Sequence, residues 1–262
     1  MASLTAVSFL IYGVSDIRLV LLSFTTTLTY YNLTRLFKLS EYEKGFSPLS
    51  RWVVKHRFTT VSLTLVGGVL SVWLISAYDL VRLLLYIPIG FLALLYTLPL
   101  RIGGRSMQLR HFPGIKIFLI AVLWTLATVR IPLSLSGALP IQNLWITEIS
   151  RFVFIIGITI PFDIRDLKYD SPKLRTIPQQ VGKTKAKKIA KIHLLIFMLL
   201  QQLLFFFGDL SLRELISSYL IGLLAVFLVH FAGGKRGEWY YGFWIEGLSL
   251  MYFLFLSMSY LI

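Results

Sequence analysis

Three aspartates stand at the end of one apolar segment, in the stretch PFDIRDLKYD at positions 161–170. The i, i+3, i+7 spacing of Asp163, Asp166 and Asp170 places three carboxylates on one face of a helix. Like charges so close together repel one another unless a cation lies among them. Carboxylate oxygens suit Mg²⁺, whose coordination is usually completed by substrate phosphates. The three residues are therefore candidate metal ligands. The alternative is a solvated helix end that the two basic residues of the stretch neutralise.

The elements that must position these carboxylates are membrane helices. Of the 262 residues, 56% are hydrophobic and only 15% are charged, and the mean hydropathy is +0.76. The hydrophobic share is higher and the charged share is lower than in soluble domains, where about 25% of the residues are charged. Most of the nine apolar segments approach the roughly 20 residues that a spanning helix needs. The segments are 1–13, 17–31, 58–78, 80–100, 115–135, 144–162, 192–207, 215–231 and 240–262.

These segments predict an all-α, polytopic membrane bundle of about nine transmembrane helices, which forms one domain over residues 1–262. The first segment is short. One bent span or a re-entrant pair is therefore the alternative for segments 1–13 and 17–31. The chain has no cysteine, so disulfides and thiolate chemistry are excluded.

The formal net charge is +14, and the distribution of the basic residues along the chain indicates how the protein is oriented in the membrane. If the N-terminus is cytoplasmic, 21 of the 26 Lys and Arg residues fall in inside loops, as the positive-inside rule requires. We therefore expect a multi-pass protein of the plasma membrane with its active face cytoplasmic, and the lipid bilayer rather than nucleic acid as its partner. The inside loops are 35–57, 100–116, 163–191 and 233–238.

Three further stretches sharpen the interpretation of the aspartates. They read RTIPQQVGK at 175–183, LYTLPLR at 95–101 and PGIK at 113–116. Together with the nine apolar segments, they make the chain resemble the UbiA superfamily of intramembrane prenyltransferases over about residues 15–262. Members of that family are similar to this sequence in a D-x-x-D-x-x-x-D segment that leads to Thr-x-Pro and Gly-Lys, and in a Tyr-x-x-Pro-x-Arg stretch followed by a lysine.

The resemblance implies a helical bundle around a lipid-facing cavity with a polar cytoplasmic cap. It also implies an activity, in which Mg²⁺ binds an isoprenoid diphosphate and the prenyl group passes to an aromatic or other lipophilic acceptor. The implied roles are catalysis for Asp163 and Asp166, metal binding for these two with Asp170, diphosphate contact for Arg101 and Lys116, and a pocket-shaping role for Tyr96.

The sequence departs from the family at the first acidic motif, Asn-Asp-x-x-Asp. That motif should fall near YYNLTRL at 30–36, where either Leu33 and Leu36 or Asn32 and Arg35 replace the two acids. Arg35 is therefore expected to contact diphosphate directly beside Asn32, because a guanidinium forms bidentate bonds with phosphate. A snorkelling interface arginine is the alternative. The competing function is a non-catalytic isoprenoid- or quinone-binding membrane protein that lost this motif.

Polar residues within the apolar segments have structural interpretations. Glu148 and Arg151 are three residues apart and are expected to form an ion pair. Four more side chains are expected to form hydrogen bonds between helices. They are His193, His230, Gln201 and Gln202.

Overall fold

The computed structural model describes residues 1–37, 39, 48–84, 87–97, 100–102, 105–107, 114–138, 142–168, 170–233 and 236–261. Their regular secondary structure is helical apart from one antiparallel hairpin, β1 (Leu100–Ile102) and β2 (Arg105–Met107). The α-helices are α1 (Ala2–Ile11), α2 (Ile17–Phe37), α3 (Pro48–Lys55), α4 (Arg57–Ile75), α5 (Leu80–Leu84), α6 (Ile87–Thr97), α7 (Lys116–Thr125), α8 (Ile131–Leu135), α9 (Leu144–Asp166), α10 (Ile177–Phe206), α11 (Leu212–Phe231) and α12 (Glu246–Ser259). π-Helical segments Leu126–Arg130 and Tyr240–Ile245 precede α8 and α12.

The chain divides into two compact units. Unit 1 consists of Met1–Ala2 and Asp16–Gln108, and unit 2 of Ser3–Ser15 and Leu109–Ile262. All-helical architecture is confirmed, whereas the expected count of nine spanning helices is not. Six helices of the described ranges are long and apolar enough to cross a membrane. They are Arg57–Ile75, Lys116–Leu135, Leu144–Asp166, Ile177–Phe206, Leu212–Phe231 and Tyr240–Ser259.

Several expected segment bounds differ from those of the helices. Segment 80–100 contains two short helices, α5 and α6, and the hairpin strand β1 begins at its end. The segment expected at 192–207 is part of the longer helix α10, because the polar run before it begins with a helix start at Thr176-Ile-Pro178. Helices α1 and α2 are separate elements, and the turn between them passes through Gly13 at φ +63°.

Unit 1 is held together by small and hydroxyl-bearing side chains between α2 and α4. Ser71 Oγ donates to Thr25 Oγ1 at 2.9 Å. Gly67 lies against Thr29, and a Cβ at this glycine would come within 2.6 Å of the threonine hydroxyl oxygen. Such residues let apolar helices approach closely where lipid gives no hydrophobic drive for association.

Unit 2 is built around α9, most of whose residues are buried. The Phe154 ring lies 4.9 Å from that of Phe197 on α10 and 6.1 Å from that of Tyr252 on α12. Gly157 allows α10 to approach, because a Cβ there would lie 2.8 Å from the Leu194 side chain and 3.3 Å from the Ala190 carbonyl oxygen. Helix α9 is therefore the core element that carries Asp163 and Asp166.

The expected Glu148–Arg151 ion pair is wrong. Glu148 instead receives two bonds from the guanidinium of Arg130, at 2.5 and 2.6 Å, because Arg130 faces it from the neighbouring π-helical segment in bidentate geometry. Arg151 is 4% exposed, and it donates to the Leu4 carbonyl at 2.9 Å and to Ser8 Oγ at 3.2 Å. This buried cation thus fastens α1 to α9.

The predicted hydrogen bonds between helices are confirmed for three of the four residues. Gln201 Nε2 donates to Ser150 Oγ at 2.5 Å, and Ser218 Oγ donates to Gln201 Oε1 at 3.2 Å. The expectation for His193 is wrong, because its Nδ1 lies 2.8 Å from the Ile189 carbonyl oxygen of its own helix. The other two confirmed residues are Gln202 and His230.

Replacement of Gly157 by alanine should destabilise unit 2, because the added methyl group meets Leu194 and the Ala190 carbonyl in a packed interface. Overpacking of this kind costs about 1–3 kcal/mol. The measurement is the thermal unfolding midpoint in detergent. Gly247→Ala is the matched control, since nothing lies within 4 Å of the Cβ position there. Equal midpoints for the two variants would contradict the tight contact.

Candidate functional site

An ion pair between α7 and α9 is the centre of the candidate site. Lys116 Nζ donates to Asp163 Oδ1 at 2.8 Å. The Asp163 side chain is 2% exposed and that of Lys116 is 24% exposed. A lone carboxylate at such a position in an apolar helix is costly, so the lysine is the charge that makes its burial tolerable.

Asp170 approaches the same lysine from the turn that follows α9. Its backbone N–H donates to the Asp166 carbonyl at 2.8 Å, which continues the helical path by one turn. Its Oδ2 lies 3.5 Å from Lys116 Nζ. This oxygen is buried, and it accepts no hydrogen bond within the part of the chain that the structure describes. Lys116 therefore lies between two carboxylates of the predicted set.

Asp166 is engaged by its neighbour in the sequence. Arg165 Nε and Nη2 donate to its two carboxylate oxygens at 2.7 and 3.1 Å. The same guanidinium lies over the rings of Phe162, at 5.2 Å, and Tyr241, at 5.4 Å. Sequence reasoning gave Arg165 only a neutralising charge. The signal for its fixed position was an aromatic residue three positions earlier on the same helix.

The segment after Asp170 forms a folded cap, which Gln179 holds. Its side-chain Nε2 donates to the Asp170 carbonyl at 3.3 Å and to the Ser171 carbonyl at 3.1 Å. Its Oε1 accepts from the Thr176 backbone N–H at 2.9 Å. The polar positions that follow the aspartates in the sequence therefore fix the loop that carries Asp170.

The cap is also tied to the segment before α7. Gly114, at φ +74°, donates its N–H to the Leu174 carbonyl at 3.1 Å, two residues before Lys116 in the chain. Arg175 adopts a left-handed conformation at φ +45°, which is unusual for a residue with a side chain.

A cavity of about 300 Å³ lies next to Asp170. Its lining residues are Leu167, Asp170, Pro172, Arg175, Gln179 and Gln180.

The remaining predicted site residues belong to unit 1. Arg35 Nη1 lies 3.4 Å from the Asn32 Oδ1 that it donates to, near the end of α2. Asn32 is 5% exposed, and its Nδ2 has no hydrogen-bond acceptor among the described residues. Tyr96 lies in the last turn of α6. The backbone of Arg101 pairs with Ser106 in the hairpin, and its side chain lies outside the described part of the chain.

The three carboxylates are the right chemical groups for a divalent cation, but only two of them lie close together. Asp163 and Asp170 converge, and one buried oxygen of Asp170 has no hydrogen-bond donor among the described residues. Asp166 is turned to Arg165. Across the described ranges, no group of three or more His, Asp or Glu side chains is close enough to hold a metal ion. Two of the predicted ligands are thus brought together around a lysine.

Comparison of structures shows which known fold this architecture matches. The chain superposes on a UbiA homologue from Aeropyrum pernix K1 in its apo form with a TM-score of 0.71 and 12% identity, over 99% of this chain and 96% of that one. A UbiA homologue from Archaeoglobus fulgidus bound to GPP and Mg²⁺ matches with a TM-score of 0.65 and 14% identity, over 100% and 95%.

A third similar structure is that of a digeranylgeranylglyceryl phosphate synthase, with a TM-score of 0.60 and 15% identity over 100% of this chain and 94% of that one. No protein-family model and no curated protein matches the sequence. The chain has the fold of the UbiA superfamily, as its motifs predicted, and it is an integral membrane protein.

Removal of the central cation should destabilise the protein. Lys116→Met leaves the Asp163 carboxylate buried without its 2.8 Å partner. Loss of one member of a buried pair costs about 3–5 kcal/mol, so the unfolding midpoint in detergent should fall clearly.

The control is Lys168→Met, a change of the same charge at an exposed position just beyond α9. The double variant Lys116→Met with Asp163→Leu should recover most of the loss, because the more deeply buried carboxylate of the site is then removed together with its partner. A midpoint that Lys116→Met leaves unchanged would refute the pair as a stabilising contact.

Proposed function

We propose that the protein is a membrane prenyltransferase, which takes an isoprenoid diphosphate with Mg²⁺ and transfers the prenyl group to an aromatic or lipophilic acceptor. The observation that carries the proposal is the convergence of Asp163 and Asp170 on Lys116 in a chain with the UbiA fold. One structure of that fold, the homologue from Archaeoglobus fulgidus, is bound to GPP and Mg²⁺.

The chemistry requires cations around the leaving group. In prenyl transfer the bond between the allylic carbon and the diphosphate oxygen breaks, and diphosphate leaves with the electron pair. The acceptor then forms a bond to that carbon and loses a proton. Positive charges fixed before the reaction lower the barrier, because they stabilise the negative charge that develops on diphosphate.

Lys116 is suited to this task because the fold already holds it in place. Its side chain is 24% exposed and its ammonium group donates to Asp163, so the same group would also meet a phosphate oxygen. Asp163, Asp166 and Asp170 would hold Mg²⁺, which would supply further charge neutralisation on diphosphate. Since Arg165 and Lys116 currently neutralise these carboxylates, metal binding would exchange one cation for another.

Four further residues complete the proposed set. Arg35 would contact diphosphate through its guanidinium, and the buried amide of Asn32 would orient it, as their 3.4 Å contact suggests. Arg101 would contact diphosphate and Tyr96 would shape the pocket, which is what the resemblance implies. Residues 1–262 are proposed as a single prenyltransferase domain.

The direct test uses the purified full chain in nanodiscs with geranyl diphosphate and longer prenyl diphosphates, and it measures diphosphate release with and without Mg²⁺. Asp163→Asn should lower the rate by about two to three orders of magnitude, the cost of one preorganised charge partner. Arg35→Ala should lower it by about as much, if the guanidinium contacts the leaving group.

Lys168→Gln is the matched control, because it removes a charge from an exposed position of the same segment. EDTA should abolish release by the wild type. If the folded wild type binds prenyl diphosphate and releases no diphosphate with any quinone, phenol or lipid acceptor, the protein is a binder and the proposal fails. Wild-type rates in Arg35→Ala would return that residue to the role of interface anchor.

The proposed site lies on the cytoplasmic side of the plasma membrane. Because basic residues concentrate in alternate loops, cysteines introduced at Arg105 and Arg175 should resist a membrane-impermeant thiol reagent in intact cells. Cysteines introduced at Asp79 and Gly137 should react. The native chain has no cysteine, so the background is low. Labelling at Arg175 from outside would overturn this orientation.

A further inference from the structure

A second cluster of charged residues lies where the N-terminal part of α10 meets the C-terminal end of α11. It follows the aspartates and the cap in the sequence. It is a groove of about 450 Å³, and its lining includes no acidic side chain among the residues that the structure describes. Four of its lining residues are lysines, which lie on α10 near its N-terminal end. The groove is formed by Lys183, Thr184, Lys187, Lys188, Lys191, His230, Ala232 and Gly233.

Two of these lysines have a structural task. Lys187 Nζ donates to the His230 carbonyl at 3.0 Å, close to the C-terminus of α11, where cations are favoured. Lys191 Nζ lies 3.0 Å from His230 Nδ1. An ammonium group can only donate, so Nδ1 accepts and the ring proton lies on Nε2. These contacts order one wall of the groove, and no hydrogen-bond partner of the His230 Nε2 is found among the described residues.

The other two lysines have no such task. Lys183 and Lys188 are exposed, and neither has an ion pair or side-chain hydrogen bond among the described residues. Lys183 lies four residues before Lys187, so it stands on the same face of α10. Contacts with His230 therefore engage two of the four lysines at the groove, and the other two are available to an anion.

The surfaces that adjoin the groove indicate what carries the anion. Along the i+4 row from Lys191, Leu195 and Leu199 are exposed apolar side chains of α10. On α11, Phe227 and Leu223 are exposed within two turns of His230. In a membrane helix such residues face acyl chains. A ligand at this place would meet lysines with its head and apolar side chains with its tail.

We propose that this groove binds the phosphate headgroup of an anionic membrane lipid, whose acyl chains lie along the exposed apolar rows of α10 and α11. Lys183 and Lys188 contact the phosphate, the aligned Lys191 and the His230 ring flank it, and basic pockets between membrane helices suit such headgroups. The site is separate from the residues proposed for prenyl transfer, so it holds whether or not the protein is an enzyme.

The test uses the full chain in nanodiscs of phosphatidylcholine with and without phosphatidic acid. The number of phosphatidic acid molecules retained through purification is measured by native mass spectrometry, and affinity by displacement of a fluorescent phosphatidic acid. Lys183→Gln and Lys188→Gln should each weaken binding roughly fivefold, the effect of one lysine at an anionic surface.

Lys185→Gln is the matched control, because this exposed lysine of the same helix does not line the groove. It should bind like the wild type. If all three variants weaken binding equally, or if none does, the charge acts diffusely and the site is refuted. Inorganic phosphate in the same assay distinguishes the two sources of the anion. It should not displace the lipid, and displacement would show a site for free phosphate instead.

Discussion

A carboxylate buried in an apolar helix must have its charge balanced inside the protein, and the arrangement of unit 2 follows from how Asp163 meets that requirement. Its partner, Lys116, comes from the first residue of another helix. The chain must therefore bring the start of α7 to the end of α9. The Gly114–Leu174 hydrogen bond and the cap around Gln179 hold the ends of these helices in that relation.

The same requirement explains the other polar contacts of unit 2. Within lipid, a polar group has no water to bind, so each donor must find its acceptor in the protein. Arg151 finds the carbonyl of Leu4, and Glu148 finds Arg130. Each of these contacts joins two different helical elements. Buried charges in this chain thus connect helices to one another.

Much of the fold could be predicted from the sequence because its strongest signals are local. Hydropathy gave the helical membrane class, and the spacing of motifs gave the UbiA fold. The prediction of ion pairs failed where a charged residue had more than one possible partner. The sequence places Arg151 one turn from Glu148, and nothing local shows that Arg130 approaches from another segment with better geometry. Sequence spacing alone also does not show that Arg165 engages Asp166 and leaves Asp163 and Asp170 to Lys116.

The apolar length of helix α10 indicates which thickness of the hydrocarbon core the protein matches best. Its 30 residues include a non-helical Gly182 at φ +78°, after which the lysines occupy the first turns and the apolar part begins at Ile192. From there to Phe206 the helix rises about 22 Å. A typical hydrocarbon core is about 30 Å thick. Lysine side chains usually relieve such a mismatch by snorkelling, but contacts with His230 restrain Lys187 and Lys191. A span of this length is matched best by a membrane with a thin hydrocarbon core, because a thicker bilayer has to thin locally or be met by other flanking side chains.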